Sequence, residues 1–141
     1  MNKYYSVTIA LTTSISILMV IAVAAIIHVS QTGQTLPLEL WLTTGFYSAS
    51  SITGFASTPL LLKGRRLGNV LSFSSAVFGL IGFSIIFTST FLKTPGTRSE
   101  VLMLAVGGLS FIFLMIIIAT STIGLIKPKQ NNSLRNGSVG K

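Results

Sequence analysis

The fold of this chain is decided by one uncharged stretch of its sequence, LGNVLSFSSAVFGLIGFSIIFTSTFL, which occupies residues 67–92. The stretch exceeds the roughly 20 residues that an apolar helix needs to cross the hydrocarbon core of a bilayer. Three further stretches, at about residues 5–29, 38–62 and 101–126, share this length and carry no acidic or basic residue away from their ends. We therefore predict an all-α integral membrane protein whose four transmembrane helices form one domain over residues 1–126.

The connection between the second and third stretches fixes their relative direction. It is a tight turn at residues 63–66, in which Gly64 suits the C-terminal cap of a helix. A connection this short makes the two helices antiparallel neighbours. With short connections elsewhere as well, we expect an antiparallel up-down bundle.

The charged residues are sorted to the two sides of these helices. With the N-terminus inside, the inner side receives eight of the ten lysines and arginines, and the outer side receives Lys93 and Arg98 with both carboxylates, Glu39 and Glu100. An excess of lysine and arginine marks the cytoplasmic side of a membrane protein. We therefore predict a multi-pass protein with both termini inside.

The residues after the fourth stretch have a different composition. Residues 127–141 form a polar basic tail, which we expect to be disordered because it has almost no apolar side chains to bury. Two glycosylation sequons in this tail, at Asn131 and Asn136, would be used only on the outer side. The charge asymmetry is the stronger signal, so we assign the tail to the inside.

Small and hydroxyl side chains recur along the third helix, from Gly68 to Ser89, at spacings of four and three. This heptad pattern predicts a helix-packing seam, because small residues allow two backbones to approach closely. The fourth helix shows a weaker version of it, and the second helix can be interpreted in the same way. The residues that we predict to make these helix–helix contacts are Gly54, Ser72, Ser75, Gly79, Gly82, Gly107, Ser110, Ser121 and Gly124.

The composition excludes several kinds of chemistry. The chain has no cysteine and one histidine, His28, so thiol catalysis, iron–sulfur clusters and a two-histidine haem site are not available within it. Neither carboxylate lies at membrane depth, where proton relays usually place one. We predict no catalytic, cofactor-binding or metal-binding residue and do not expect an enzyme. The net charge of +8 does not indicate a nucleic-acid partner, because the cations are divided among short segments.

Two classes of function remain open at this point. The first is a non-catalytic accessory subunit of a larger membrane complex, such as an energy-transducing one, with other membrane subunits and lipids as partners. The second is a small oligomeric transporter or channel for a neutral solute, lined by the hydroxyl groups of the second helix. Polar side chains used in packing within the chain favour the first, and polar side chains left facing outward favour the second.

Overall fold

The computed structural model describes the backbone of residues 3–33, 35–93 and 98–126 and the side chains of residues 5–33, 35–89 and 108–126. Regular structure in these ranges is helical throughout. The helices are α1 (Lys3–Gln31), α2 (Leu38–Leu62), α3 (Arg66–Lys93) and α4 (Arg98–Ile126). α2 has the predicted bounds, whereas the other three extend slightly beyond the predicted spans. The predicted disordered tail, 127–141, lies outside the described residues.

Three of the four helices are long and apolar enough to cross a membrane. Among the described side chains, the qualifying segments are Tyr5–Gln31 of α1, Arg66–Ser89 of α3 and Gly108–Ile126 of α4. α2 does not qualify, although it contains 25 residues, because its many hydroxyl groups and Glu39 lower its hydropathy. The helices therefore indicate a membrane protein, and α2 differs from the other three in needing neighbours to cover its polar groups.

Each helix packs against the next one in the sequence, and the last helix also contacts the first. α2 packs between α1 and α3, while α4 packs against α3 and also contacts α1. Residues that lie later along one helix contact residues that lie earlier along its neighbour. In α2 and α3, Leu61 lies against Gly68 at one end, and Tyr47 lies against Gly82 further along. α1 with α2 and α3 with α4 show the same opposed register.

The turn between α2 and α3 has the predicted glycine cap. Gly64 adopts a φ of 62°, a left-handed conformation that glycine adopts without a Cβ clash. The Gly64 amide donates to the Leu61 carbonyl at 2.9 Å, and the Arg65 amide donates to the Leu60 carbonyl at 2.9 Å. This is the hydrogen-bond pattern of a Schellman motif. The motif provides hydrogen-bond donors for two carbonyls at the end of α2. The next residue, Arg66, begins α3.

The core changes in character along the bundle. At the level of Gly79 it is apolar, with a cluster formed by Ile15, Met19, Tyr47, Ala76, Leu114 and Ile117. Towards the turn between α2 and α3 the buried side chains become polar, and along α3 they include Asn69, Ser72 and Ser75. The bundle therefore has an apolar half and a polar half, and the polar half holds most of its hydrogen-bonding groups.

Candidate functional site: a buried hydroxyl core

Buried hydroxyl groups from all four helices line the interior of the bundle. None of the buried polar side chains in the described residues is charged. The buried polar side chains are Thr8, Thr12 and Ser16 on α1; Thr43, Ser50, Ser51 and Ser57 on α2; Asn69, Ser72 and Ser75 on α3; and Ser121 on α4. Because lipid offers no hydrogen-bond partners, each of these groups needs a partner from the protein or from a bound molecule.

Ser50 and Ser75 join α2 to α3 by reciprocal hydrogen bonds. The Ser50 hydroxyl donates to the Ser75 carbonyl at 2.8 Å, and the Ser75 hydroxyl donates to the Ser50 carbonyl at 2.7 Å. Their two hydroxyl oxygens lie 3.3 Å apart. Each serine thus reaches the backbone of the neighbouring helix, which requires the two helices to lie very close together.

Ser72 connects three helices at the next level of the core. Its hydroxyl lies 2.7 Å from the Thr12 hydroxyl of α1. It also accepts a hydrogen bond of 3.2 Å from the Ser121 hydroxyl of α4. All three side chains are buried. This short chain of hydroxyl groups links α1 to α4 through α3.

α1 and α2 are brought together around Gly54. A Cβ atom at Gly54 would overlap the Ser16 hydroxyl and would lie 2.9 Å from the Ser75 hydroxyl. Nearby, the Ser51 hydroxyl donates to the Tyr47 carbonyl at 2.8 Å and approaches the Ser16 carbonyl at 3.3 Å. The missing side chain of Gly54 is therefore what makes room for hydroxyl groups from two neighbouring helices.

The remaining hydroxyl groups of α2 bond mostly to their own helix. Thr43, Thr44 and Ser48 each donate to the carbonyl four residues earlier, at 2.7–2.8 Å. Thr53 bonds in the same way to the Ala49 carbonyl, and Ser57 donates to the Gly54 carbonyl three residues earlier. The hydroxyl groups that gave α2 its polar composition are thus already paired inside this chain.

The predicted packing residues occupy different environments. Most of them are buried in the contacts between helices: Gly54, Ser72, Ser75, Gly79, Gly82 and Ser121. Gly124 is partly buried against the amide of Asn69, and Ser110 is partly exposed. The surroundings of Gly107 lie outside the described side chains. Their role in assembly of the bundle remains a prediction.

Sequence reasoning missed the contribution of α1 and the position of Asn69. Thr8, Thr12 and Ser16 are buried on one face of α1. Their spacing of four was a usable signal, because residues i and i+4 share a helix face. Asn69 was also recognisable as the only amide side chain within the four predicted spans.

No group of three or more histidine, cysteine or carboxylate side chains that could hold a metal ion occurs among the described residues. His28 is exposed near the end of α1. An open groove of about 620 Å³ lies at the surface between Glu39 and the segment from Leu80 to Ser89. The hydroxyl core joins the four helices by hydrogen bonds between α1 and α2, α2 and α3, α1 and α3, and α3 and α4.

Comparison with protein-family models, with curated proteins and with solved structures found no match. Assignment of a function therefore rests on the residues and contacts of the chain itself.

Proposed function

We infer that this protein is a non-catalytic accessory subunit of a larger membrane protein complex. The observation that carries this assignment is the pairing of the hydroxyl groups of α2 within the chain. Most of these hydroxyl groups bond to carbonyls of α2 itself. Those that reach α1 or α3 each contribute about 0.6 kcal/mol on average to the association of the helices. A protein built this way supplies structure rather than chemistry.

The outward faces of the helices support an assembly role. α2 exposes Trp41, Ile52 and Phe55, with Ile52 69% exposed. α1 and α4 expose apolar faces as well, including Ile21 and Ile112. These faces suit contact with lipid or with apolar helices of other subunits. An oligomeric pore would need polar groups that face outward, but no serine or threonine of α2 is fully exposed. The partly exposed ones bond to carbonyls of α2, and they are Thr44, Ser48, Thr53 and Thr58.

We extend this assignment to four transmembrane helices with both termini inside. α2 lies alongside α1 and α3 in an opposed register, so it shares their depth if they cross the membrane. Its hydroxyl groups do not prevent this, because they are covered by neighbouring helices or bonded to backbone carbonyls. Lys63, Arg65 and Arg66 are exposed at the turn after α2, where the positive-inside rule expects cations.

A transporter for a neutral solute is the competing function. Its support is the set of buried hydroxyl groups on four helices. Solute passage would require these groups to exchange their mutual hydrogen bonds, such as those between Ser50 and Ser75, for bonds to the solute. Because these bonds hold the helices together, opening a path would cost interhelical contacts.

Purification of the tagged protein from native membranes in a mild detergent tests the proposal. We expect larger membrane subunits to co-purify in a fixed stoichiometry, measured by quantitative mass spectrometry, and an absorption spectrum of the eluate shows any pigment that they carry. An unrelated multi-pass protein with the same tag is the control. A homo-oligomer without other subunits would contradict the proposal, and solute flux in liposomes would then test transport.

A further inference from the structure

Asn69 has an unpaired hydrogen-bond donor in the interior of the bundle. Its side chain lies on α3 in the polar half of the core and is 1% exposed. The amide nitrogen, Nδ2, has no hydrogen-bond partner in the described part of the chain. A buried amide without a partner loses the hydrogen bonds that it made to water before folding, and lipid cannot replace them. Native structures usually satisfy such a group with protein or with an ordered water.

The surroundings of Asn69 are formed by α4. A Cβ atom at Gly124 would lie 2.7–2.8 Å from three atoms of the Asn69 amide group, so the amide occupies the space that a side chain at Gly124 would fill. One turn away on both helices, the Ser121 hydroxyl donates to Ser72. Asn69 and Ser72 on α3 therefore face Gly124 and Ser121 on α4 as two adjacent pairs.

Asn69 and Ser121 have complementary hydrogen-bonding groups that are not yet used. Asn69 offers an N–H donor. The Ser121 hydroxyl donates its hydrogen bond to Ser72, and its oxygen can still accept a hydrogen bond. A direct bond between Asn69 and Ser121 is not formed, so an intermediate group that accepts from one and donates to the other would satisfy both.

We propose that Asn69 and Ser121 bind one buried water molecule between α3 and α4. The water accepts a hydrogen bond from Asn69 Nδ2 and donates one to Ser121 Oγ. Buried waters typically make about three hydrogen bonds to otherwise unsatisfied polar groups, and this pair supplies two of them. A neutral ligand fits the site because no charged side chain is buried among the described residues, so an anion would lack compensation. This water site is formed by residues of one chain, so it does not depend on the proposed accessory role.

Crystallography of the protein in a lipid phase, at a resolution that shows ordered waters, tests this site. We expect a solvent peak at hydrogen-bond distance, about 2.7–3.2 Å, from both Asn69 Nδ2 and Ser121 Oγ. An Asn69 amide that donates directly to a protein carbonyl, or one with no peak beside it, would overturn the proposal.

Two variants link the peak to the named atoms. Ser121→Ala removes the acceptor and should lower the occupancy of the water at least twofold. Ser84→Ala is the matched control, because Ser84 is an exposed α3 serine that bonds only to the Leu80 carbonyl of its own helix. It should leave the occupancy unchanged. Equal occupancy in the wild-type and Ser121→Ala proteins would show that Ser121 does not bind the water.

Discussion

Gly54 and Gly45 belong to the same helix and differ only in what surrounds them. A methyl group at Gly54 would overlap the Ser16 hydroxyl, whereas a methyl group at Gly45 would meet nothing within 4 Å. We predict that Gly54→Ala lowers the free energy of unfolding by about 1–3 kcal/mol through overpacking. Gly45→Ala should raise it by about 0.5–1 kcal/mol, because alanine favours the helix. Equilibrium unfolding in mixed detergent micelles measures both values.

The two glycine variants are controls for each other. Each adds one methyl group to α2, so any general effect of the substitution on helix stability is shared. Opposite signs would show that the close approach at Gly54 matters. Stabilisation by both substitutions would mean that Ser16 moves aside without loss and that the contact between α1 and α2 is looser than described.

The structural role of a single residue could be predicted from the sequence only where the neighbouring sequence leaves few alternatives. Gly64 was predicted as a helix cap because a short charged turn leaves few other conformations, and its positive φ agrees. Thr8 and Thr12 were missed because their apolar neighbours make α1 hydrophobic overall, which hides the polar face. The unpaired amide of Asn69 could not be predicted, because it depends on which residue of α4 lies opposite.

Between elements, the reciprocal hydrogen bonds of Ser50 and Ser75 make a measurable link from α2 to α3. We predict that Ser50→Ala and Ser75→Ala each lower the free energy of unfolding by about 0.6–1.7 kcal/mol, the range known for hydrogen bonds between transmembrane helices. Their effects should not be additive in a double-mutant cycle, because the two hydroxyl oxygens also lie 3.3 Å apart. Each variant removes one of two bonds that depend on the same helix separation. Strictly additive effects of the two substitutions would contradict this link.

The face of α3 that packs against α2 should tolerate less change at Gly82 than the face that carries Phe83. A Cβ atom at Gly82 would lie 2.7 Å from the Tyr47 ring. Gly82→Leu should therefore lower the free energy of unfolding by about 3 kcal/mol or prevent folding. The neighbouring Phe83 is only partly buried and contacts Phe87 and Phe111. Phe83→Leu should cost less than about 1.5 kcal/mol, and equal losses at both positions would contradict the predicted packing face.

α2 illustrates why hydropathy and burial must be considered together. Its length and bounds were predictable, because a proline precedes it and a charged turn follows it. Its hydropathy alone does not identify a membrane span. The explanation lies in tertiary contacts: Thr43, Ser50 and Ser57 are fully buried, so lipid never meets them. A helix with this composition requires neighbours, and its neighbours are α1 and α3.

For the whole molecule, orientation follows from charge rather than from packing. The contacts between helices are the same whichever side of the membrane the termini occupy. The lysines and arginines break this symmetry, since eight of the ten would lie on one side with the N-terminus inside. We predict that a reporter fused after Lys141 is cytoplasmic, and that the same reporter inserted after Gly33, between α1 and α2, lies outside.

Reversing the charge of the turn between α2 and α3 tests the cause of this orientation. The triple substitution Lys63→Glu, Arg65→Glu, Arg66→Glu removes three of the inner cations while leaving the buried faces untouched, because all three side chains are exposed. Cytoplasmic lysine and arginine set orientation, so a measurable fraction of the triple variant should show the Gly33 reporter inside. The matched control, Lys63→Arg, Arg65→Lys, Arg66→Lys, changes the same three exposed positions without changing their charge and should keep the Gly33 reporter outside. Glycosylation of Asn136 in the unmodified protein would place the tail outside and contradict the assigned orientation directly.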